Sequence, residues 1–423
     1  MLLKLEVDGA SNQVVASHHF LESKAYKAWR SGRMRWREFG TPIPHASLWS
    51  KLAEAADMAA GSLGLTQGMT DNASVSVVPQ PGGKVVALSE TVAATYPVDV
   101  ATLATLGQVQ YQDDVSADKT TAHPSRLPNG DLIQMFNKIG GGFTITRQTP
   151  DNFQQRQTLA QIPSRRRFAP AWVHDFPSSV NYTGKWGYHG CAVLPEVPLY
   201  LSPISFLTGK PTDHQVFKWV PEEATLLHVV SHQTGQASSS LAVVAFYDDA
   251  SQLNRLTLDF LRKGRATGQE VADAHYRRLT IDLQAPPGTQ LAGWQPLIDD
   301  ESSYGHHFEF PSSSPSNSCR PYRYAYGVCA VRPTNTDNAY VKMDNQERTC
   351  KVFPLPGGIG GEPRFVPAPN PASEDDGILL GTVVQPDGNA AMVFLDGRSM
   401  EEVARAVLRY GLPFGFHGTF IPS

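Results

Sequence analysis

The segment Ala391-Met-Val-Phe-Leu-Asp396-Gly-Arg-Ser-Met-Glu401 places an aspartate between an apolar run and a second extended run. The segment Tyr340-Val-Lys-Met-Asp344 repeats this arrangement 52 residues earlier, and a weaker copy ends at Asp99. An aspartate after a strand can close an Asx-type turn, so each copy predicts a β-hairpin. A spacing of about 50 residues is that of one four-stranded blade. The repeat therefore predicts an all-β fold, a β-propeller, in which residues 400–409 form a hairpin arm rather than a helix.

The composition agrees with many short strands joined by turns. The chain has 423 residues, 41% of them hydrophobic, with 35 glycines and 32 prolines, which suits a large core and frequent turns. Its net charge is −4 and no basic run stands out, which argues against nucleic acid as a partner. Four cysteines without paired spacing favour a reducing compartment; they are Cys191, Cys319, Cys329 and Cys350.

The first 64 residues carry the helical part of the sequence. Residues 1–20 predict a pair of strands, whereas residues 22–36 and 46–60 have helical periodicity. We therefore expect one domain spanning residues 1–423, with a helical insertion at about residues 20–64. No apolar run reaches the roughly 18 residues of a membrane span. The N-terminus resembles neither a secretion signal nor a transit peptide, which leaves a cytosolic location or a start upstream of Met1.

Three of the thirteen histidines stand beside small, aromatic or proline residues at predicted strand ends. They are His123 in Thr120-Thr-Ala-His-Pro124, His174 in Pro170-Ala-Trp-Val-His-Asp-Phe176, and His417 in Phe414-Gly-Phe-His-Gly-Thr-Phe420. Inner strand ends of different blades converge on a propeller axis, so these imidazoles predict a metal site. Imidazole ligands suit Zn, Fe, Cu or Ni and do not select among them. For His417 alone, a core histidine bonded to a carbonyl is the alternative, and its flanking glycines predict close backbone approach.

An all-imidazole site leaves the charge of the ion uncompensated, and carboxylates on the far ring N–H groups then orient the ligands. Glu90, Glu309 and Glu362 lie in apolar strand contexts that suit this role. The remaining polar features predict surface positions. Among them are the acidic run Glu374-Asp-Asp-Gly377, interpreted as a solvated turn rather than a calcium site, and the histidines His18, His19, His214, His275, His306 and His307.

Six segments resemble, in the same order, motifs of the carotenoid cleavage dioxygenase family. These segments are Thr121-Ala-His-Pro124, Ala171-Trp-Val-His-Asp-Phe176, Tyr322-Arg-Tyr-Ala-Tyr-Gly327, Gly361-Glu-Pro-Arg-Phe-Val-Pro367, Glu374-Asp-Asp-Gly377 and Phe414-Gly-Phe-His-Gly-Thr-Phe420. Within the family the chain looks most like the eighth plant class, the carlactone synthases. This closer resemblance rests on Glu22-Ser-Lys-Ala-Tyr-Lys-Ala28, Arg37-Glu-Phe39, Thr70-Asp-Asn-Ala73, Glu401-Glu-Val-Ala-Arg-Ala406 and Tyr410-Gly-Leu-Pro413.

The resemblance implies a seven-bladed propeller with Fe(II) held by four histidines, and three glutamates bonded to histidine ligands. By motif, His123, His174 and His417 match the first, second and fourth ligands, and Glu90, Glu309 and Glu362 match the glutamates. The implied reaction is O₂-dependent cleavage of a conjugated double bond of a carotenoid or apo-carotenal, in strigolactone-type synthesis in a plastid, without a further catalytic side chain. A non-catalytic apocarotenoid-binding propeller, and an isomerase or hydrolase of the same family, are the alternatives.

Residues 198–207 resemble the membrane-facing patch of the family, whose substrates reside in membranes. The stretch is short, apolar and interrupted by proline, and its apolar members are Leu199, Leu201, Ile204, Phe206 and Leu207. It predicts peripheral contact with a membrane. An edge strand of a blade is the alternative interpretation.

The chain departs from the family pattern in three places. The strand with the third histidine ligand is absent, because His228-Val-Val-Ser-His232 runs within a few residues into Leu241-Ala-Val-Val-Ala245, and neither histidine matches the motif. Residues 183–190 stand where the family continues without a break, and the family's opening strands precede Met1. Together these departures favour an imperfect gene model, a hypothesis that a transcript read matching this sequence across Gly235–Leu241 would reject.

Overall fold

The structure, a computed structural model, describes residues 1–32, 56, 60, 69–138, 140–163, 178–180, 187–192, 199–205, 215–217, 226–234, 239–247, 273–282, 295–318, 321–331, 337–413 and 415–422. Regular structure in these residues is mostly β-strand. The helical elements with defined bounds are α1 (Lys24–Arg30) and two short 3-10 helices, Glu301–Tyr304 and Pro315–Asn317. The predicted all-β class is confirmed.

The described strands are mostly short and follow one another along the chain. The first ten are β1 (Leu2–Asp8), β2 (Gln13–His19), β3 (Ser76–Gln80), β4 (Lys84–Leu88), β5 (Thr95–Asp99), β6 (Lys119–Thr120), β7 (Ser125–Arg126), β8 (Leu132–Asn137), β9 (Gly142–Thr149) and β10 (Asn152–Pro163). The next eight are β11 (Ser178–Val180), β12 (Gly187–Ala192), β13 (Leu199–Ser205), β14 (Gln215–Phe217), β15 (Leu226–Thr234), β16 (Ser239–Tyr247), β17 (His275–Asp282) and β18 (Gln295–Pro296). The others are β19 (Phe308–Ser312), β20 (Tyr324–Cys329), β21 (Ala339–Asp344), β22 (Thr349–Pro354), β23 (Ile359–Gly360), β24 (Arg364–Pro367), β25 (Gly377–Val384), β26 (Ala390–Asp396) and β27 (Glu402–Leu408).

The chain forms two compact units. The first comprises residues 1–124 and 130–174, and the second comprises residues 125–129 and 175–423. The first unit contains the antiparallel pair β1-β2, which confirms the predicted strand pair, the sheet β3-β4-β5, and a sheet in the spatial order β10-β9-β8-β6.

In the first unit, a buried aspartate fixes the start of helix α1. Both carboxylate oxygens of Asp71 are used, accepting hydrogen bonds from the N–H groups of Lys24 (2.7 Å) and Ala25 (2.9 Å). The hydroxyl of Tyr96 in β5 donates to the same carboxylate at 2.6 Å. The first N–H groups of a helix lack partners within the helix, so this contact satisfies them and docks α1 on the sheet. Two of the segments that resemble carlactone synthases, residues 22–28 and 70–73, are therefore in contact here. Their contact fixes the start of helix α1.

The second unit is built from four antiparallel sheets that follow the order of the chain. Their spatial orders are β11-β12-β13-β14, β15-β16-β17-β18, β19-β20-β21-β22 and β23-β25-β26-β27, with β24 also pairing with β25. Successive sheets contact each other: β11 lies against β15, β15 against β19, and β21 against β23. Four-stranded antiparallel sheets packed in this sequential manner are blades of a propeller. Four blades are therefore present in this unit, and the total of seven stays a prediction.

Strand β21 belongs to two cores at once. Its Ala339, Val341 and Met343 face a cluster of buried residues that includes Tyr276 and Phe308. Between them, Tyr340 faces the opposite cluster, which contains Phe365, Leu379, Val383 and Leu395 of the last sheet. Side chains alternate across a strand, so a blade between two neighbours must be apolar at both odd and even positions. This explains why β21 carries apolar residues at both odd and even positions rather than in strict alternation, with Lys342 as a polar exception inside the strand.

The aspartates that predicted hairpin turns close those turns. The carboxylate of Asp344 accepts hydrogen bonds from the N–H groups of Gln346 (3.0 Å) and Glu347 (3.1 Å). Asp396 accepts from Arg398 (3.0 Å) and Ser399 (2.7 Å) in the same way. The arm beyond Asp396 is strand β27, so the prediction of a strand rather than a helix in residues 400–409 is confirmed.

The acidic run before β25 is not a solvated turn, and that prediction is wrong for Asp375. This carboxylate is 8% exposed and lies 2.6 Å from the ammonium of Lys342, which is 4% exposed. Lys342 also donates to the carbonyl of Gly397 at 2.7 Å. Its place in β21 directs it into the core shared with the last sheet, and a buried cation requires a partner. Asp375 supplies one, while Glu374 accepts from the backbone N–H of Arg323 and Tyr324.

Other predictions fall only partly on residues that the structure describes. Helix α1 lies in the predicted helical insertion of residues 20–64, whereas most of the second predicted helix lies outside the described residues. His228 and His232 lie in β15, which pairs antiparallel with β16. No helix in the described part of the chain is long and apolar enough to cross a membrane.

One histidine assigned to the surface is buried. His307 is 6% exposed; its Nδ1 accepts a hydrogen bond from the N–H of Ala274 at 3.1 Å, and its Nε2 lies 3.3 Å from a carboxylate oxygen of Asp337. The neighbouring His306 is exposed, as predicted. His306 lies in a turn with φ +63°, whereas His307 directly precedes β19, so a shared surface position was the wrong expectation.

Candidate metal centre

The closest pair of predicted site residues is His417 and Glu362 in the second unit. The Nδ1 atom of His417 lies 3.2 Å from Oε1 of Glu362, and both side chains are only 5% exposed. Glu362 follows β23 directly, and His417 belongs to residues 415–422, here called the terminal segment. A proton on Nδ1 lets the imidazole donate to the carboxylate, because an ionised carboxylate can only accept. In that tautomer the lone pair of the ring is on Nε2.

The second oxygen of Glu362 holds the backbone of the terminal segment. Its Oε2 accepts a hydrogen bond from the N–H of Gly418 at 3.0 Å and lies 3.0 Å from a guanidinium nitrogen of Arg364. The Nε of Arg364 donates to the carbonyl of Gly418 at 2.6 Å. The carboxylate and the guanidinium therefore bind the N–H and the carbonyl of the same residue, Gly418, directly after His417.

Close backbone approach occurs at Gly361 rather than at the glycines beside the histidine. A Cβ on Gly361 would lie 2.8 Å from Oγ1 of Thr382 and 3.0 Å from the carbonyl of Gly415. A Cβ on Gly415 or Gly418 would meet no described atom within 4 Å. The expectation that Gly415 and Gly418 permit close approach therefore stays a prediction, since the described atoms show such an approach only between Gly361 and the carbonyl of Gly415. The glycine before Glu362 lets the chain pass beside the terminal segment.

The surroundings keep Glu362 ionised. Burial alone would raise the pKa of this carboxyl, but the Arg364 guanidinium, the His417 imidazole and the Gly418 N–H outweigh it and hold the pKa below its ordinary value. The carboxylate is therefore available at neutral pH as an acceptor for the imidazole N–H.

An aromatic residue in a strained conformation packs against His417. Phe310 has φ +48°, a region that bulky residues rarely occupy, at a register shift between β19 and β20. Its ring meets the His417 ring edge-on, with centroids 5.6 Å apart, and lies 6.2 Å from the ring of Phe416. Phe416 is 54% exposed. The neighbouring Gly327 allows this bulge, because a Cβ there would collide with the ring of Phe308 and the carbonyl of Glu309.

The other two predicted glutamates have partners of their own. Glu309 is half-buried and accepts a hydrogen bond from the N–H of Phe310 at 3.0 Å. Glu90, in the first unit, is 6% exposed and accepts from the hydroxyl of Ser89 at 2.6 Å. Its backbone carbonyl accepts from the N–H of Thr120 in β6, three residues before His123. Glu90 and His123 thus sit at the ends of segments that are hydrogen-bonded to each other, and His123 is half-buried.

The structure describes the remaining predicted site residues only in part or not at all. His174, Phe206 and Leu207 lie outside the described residues, and Leu199, Leu201 and Ile204 belong to strand β13. Across the described ranges, no three His, Cys, Asp or Glu side chains are grouped as a metal site. The residues that sequence reasoning missed are Arg364 and Phe310. Arg364 stands in the quoted motif Gly361–Pro367, two residues after Glu362, and Phe310 directly follows Glu309; the sequence held no other signal for them.

The His417–Glu362 pair has the chemistry of a metal ligand with its orienting carboxylate. Histidine ligands commonly donate their second ring N–H to a carboxylate, which fixes the tautomer and raises the basicity of the coordinating nitrogen. Here Nδ1 faces the carboxylate, and Nε2 is the nitrogen left for a metal. The pair fits a metal such as iron, for which imidazole is a suitable ligand.

Relatives of known name align with nearly the whole chain. A family described as retinal pigment epithelial membrane protein (RPE65) matches residues 1–422. The rice protein named carotenoid cleavage dioxygenase 8 homolog B, chloroplastic, is 31% identical over 446 aligned positions, covering 99% of this chain and 75% of its own. The Arabidopsis thaliana protein named carotenoid cleavage dioxygenase 8, chloroplastic, is 32% identical, covering 100% of this chain and 76% of its own. The human mitochondrial carotenoid-cleaving dioxygenase is 27% identical, covering 98% and 80%.

Solved structures share the fold. A mutant of the Synechocystis apocarotenoid oxygenase superposes with a TM-score of 0.72 at 19% identity, covering 100% of this chain and 87% of that one. The cobalt-substituted form of the same oxygenase gives 0.72 at 18% identity, with the same coverage. These matches agree with the β-propeller arrangement of the sheets. The resemblance predicted from the motifs is confirmed, and the chain belongs to the RPE65 family, the family of the carotenoid cleavage dioxygenases.

Proposed function

We infer that the protein is a non-haem Fe(II) dioxygenase that cleaves one conjugated double bond of an apo-carotenal, in carlactone-type apocarotenoid synthesis. The observation that carries this proposal is the buried His417–Glu362 pair, with Nδ1 3.2 Å from Oε1. Names of the rice and Arabidopsis relatives support the carotenoid substrate and a location in the plastid. In the balanced reaction one C=C bond breaks and two C=O bonds form, each with one atom of dioxygen.

Each predicted residue has a role in this proposal. His123, His174 and His417 would hold the iron, and Glu90, Glu309 and Glu362 would orient histidine ligands through their far ring nitrogens. When bound, ferrous iron supplies the redox chemistry that allows dioxygen to react with an alkene. The neutral imidazoles leave the ion's charge largely in place, so the ionised carboxylates behind them balance it. No side chain needs to transfer a proton, because neither the alkene nor the two carbonyl products gains or loses one.

The surroundings of His417 suit an apolar polyene. Phe310 places an aromatic ring beside the imidazole, and the ring of Phe416, which is 54% exposed, lies 6.2 Å from that of Phe310. Aromatic walls around a few fixed polar groups are typical of sites that hold extended apolar ligands and exclude water. We propose that these rings contact the polyene near the bond to be cleaved.

Iron content and oxygen uptake test the proposal together. The purified protein supplied with Fe(II) should retain iron by elemental analysis, consume O₂ when an apo-carotenal is added, and release aldehyde products. His123→Ala, His174→Ala and His417→Ala should each lower O₂ uptake to below about a hundredth of wild type, because a lost ligand opens the site. His18→Ala, an exposed histidine of β2, is the matched control and should behave as wild type. If O₂ uptake persists in all three variants, the dioxygenase assignment is wrong.

The absent third-ligand strand favours one second candidate, a non-catalytic propeller that binds apocarotenoids. The alignments with the rice and Arabidopsis relatives span 446 and 460 positions, more than the 423 residues of the chain, so those relatives carry segments without a counterpart here. Three imidazoles hold a metal less firmly than four. Apo-carotenal binding without retained iron identifies this candidate. Retained iron with substrate conversion but no O₂ uptake identifies an isomerase or hydrolase instead.

Membrane contact at β13 is a further part of the proposal. Leu199, Leu201 and Ile204 lie along this strand, followed in sequence by Phe206 and Leu207. An apolar stretch of this kind can lie in the interfacial region of one leaflet. Phe206→Asp combined with Leu207→Asp should reduce sedimentation with phosphatidylcholine liposomes several-fold while leaving O₂ uptake with detergent-dispersed substrate unchanged. Equal sedimentation of variant and wild type would contradict the membrane role.

A further inference from the structure

The terminal segment is an irregular stretch whose position depends on specific contacts. Residues 411–422 form no strand or helix where they are described. Phe416, Phe420 and Ile421 are 54%, 45% and 39% exposed. The ring of Phe310 packs against those of His417 and Phe416, and polar contacts of the Gly418 backbone add to this packing.

Those contacts converge on one arginine. Arg364 donates from Nε to the carbonyl of Gly418 at 2.6 Å, and a second guanidinium nitrogen lies 3.0 Å from Oε2 of Glu362. The same Oε2 accepts from the N–H of Gly418 at 3.0 Å, and the other oxygen of Glu362 faces His417. Arginine and glutamate thus close a ring of contacts with the N–H and the carbonyl of Gly418, the residue that follows His417. A guanidinium can do this because it offers two N–H groups in a fixed plane.

We propose that Arg364 is a positioning residue for the metal centre, latching the terminal segment onto Glu362 and so fixing the direction of the His417 imidazole. The presence of a metal in this inference rests on the proposed function, whereas the latch rests on the observed contacts alone. Arg364 touches neither His417 nor, in the proposal, the substrate. Its effect passes through Gly418 and Glu362.

An ordinary surface ion pair would not have this effect. The Arg364 side chain is 39% exposed, and an isolated pair at that exposure adds little stability. Its second contact goes to a backbone carbonyl of the terminal segment, directly after His417, so losing Arg364 should loosen residues 415–422 selectively. Lysine at this position retains the charge but has a single donor atom, which cannot serve Glu362 and Gly418 in the planar geometry of arginine.

Two measurements on the full chain test the latch. Hydrogen exchange of peptides covering residues 415–422 should be at least about tenfold faster in Arg364→Gln than in wild type, with Arg364→Lys in between. The Kd for Co(II), used as a spectroscopic probe for imidazole ligands, should rise about tenfold in Arg364→Gln and be partly restored in Arg364→Lys. Arg405→Gln is the matched control, since Arg405 binds Glu402 by two hydrogen bonds (2.9 and 2.6 Å) within β27 of the same unit. It should change neither quantity.

The two readouts separate failure of the latch from failure of the metal centre. Wild-type exchange rates in Arg364→Gln overturn the latch. Faster exchange with an unchanged Co(II) affinity overturns its role in positioning His417. A wild-type chain that binds no Co(II) overturns the proposed metal centre and with it the positioning role, and the exchange rates then show whether the latch exists without it.

Discussion

Replacing Glu362 by glutamine should leave the protein folded and weaken its affinity for Co(II) or Fe(II) by about 10- to 100-fold. The reason is that a carboxylate offers two acceptor oxygens, whereas the amide of glutamine offers one. The carboxylate uses one oxygen toward His417 and the other toward both Gly418 and Arg364. Glutamine has one carbonyl oxygen and one NH₂ group. Whichever way the amide lies, a donor faces either His417 or the Gly418–Arg364 pair.

The tautomer of His417 decides how this loss reaches the metal. An NH₂ group facing Nδ1 turns that nitrogen into an acceptor, so the proton moves to Nε2, where it blocks coordination. The opposite orientation leaves the Gly418 N–H and the guanidinium facing a donor, which costs about 1–3 kcal/mol of folding free energy. Both outcomes lower the metal affinity.

Calorimetric titration with Co(II), together with thermal unfolding, measures both quantities. Glu347→Gln is the control, because Glu347 is 61% exposed and pairs with Arg323 at 3.5 Å, away from His417. Wild-type Co(II) affinity in Glu362→Gln would show that the carboxylate does not orient the imidazole.

The second large effect concerns stability rather than the site. Lys342→Met should lower the free energy of unfolding by about 3–5 kcal/mol, because it leaves the buried carboxylate of Asp375 without its cation. The pair joins β21 to the segment before β25, with Nζ and Oδ2 2.6 Å apart and side-chain exposures of 5% and 11%. The double variant Lys342→Met with Asp375→Asn removes both charges and should recover part of the loss. Urea unfolding at pH 7 measures all three proteins.

Two further measurements test whether the loss of stability in Lys342→Met comes from the buried Asp375. One uses a variant that breaks an exposed ion pair, and the other follows the stability with pH. Arg348→Met breaks a pair with Asp299 whose side chains are 45% and 69% exposed, and should cost less than about 1 kcal/mol. Burial would raise the pKa of Asp375, but Lys342 and Ser373 hold it below its ordinary value. Its stabilising effect is therefore complete above the unfolded pKa of about 4 and is lost as the pH falls through the lower folded value. The stability gap between wild type and Lys342→Met should narrow over that range, and a gap that stays constant would exclude Asp375 as the cause.

The features that sequence reasoning could predict are local. Asp344 and Asp396 each bond to N–H groups two and three residues further on, so their turns are visible in the order of residues. The pairs that hold the fold and the site together connect residues 33 and 55 positions apart, Lys342 with Asp375 and Glu362 with His417. No period in the sequence marks such pairs. Only the resemblance to a family pointed to the second pair, and nothing pointed to the first.

The same distinction explains the residues that were missed or misplaced. His307 was assigned to the surface together with His306, yet His306 lies in a turn with φ +63° and is exposed, whereas His307 directly precedes β19 and is buried. The importance of Arg364 depends on where the terminal segment returns to the sheet. The left-handed backbone of Phe310 and its contact with His417 follow from a bulge that the sequence does not mark.

Because β21 packs against two cores, its register determines where insertions and deletions are tolerated in the protein. Odd and even residues of this strand belong to different cores, so adding or removing one codon within residues 339–343 would send every later side chain of the strand into the wrong core. Length changes should therefore accumulate in the turn that follows Asp344, where the backbone faces solvent. The same parity constraint makes paired, two-residue changes less damaging than single ones.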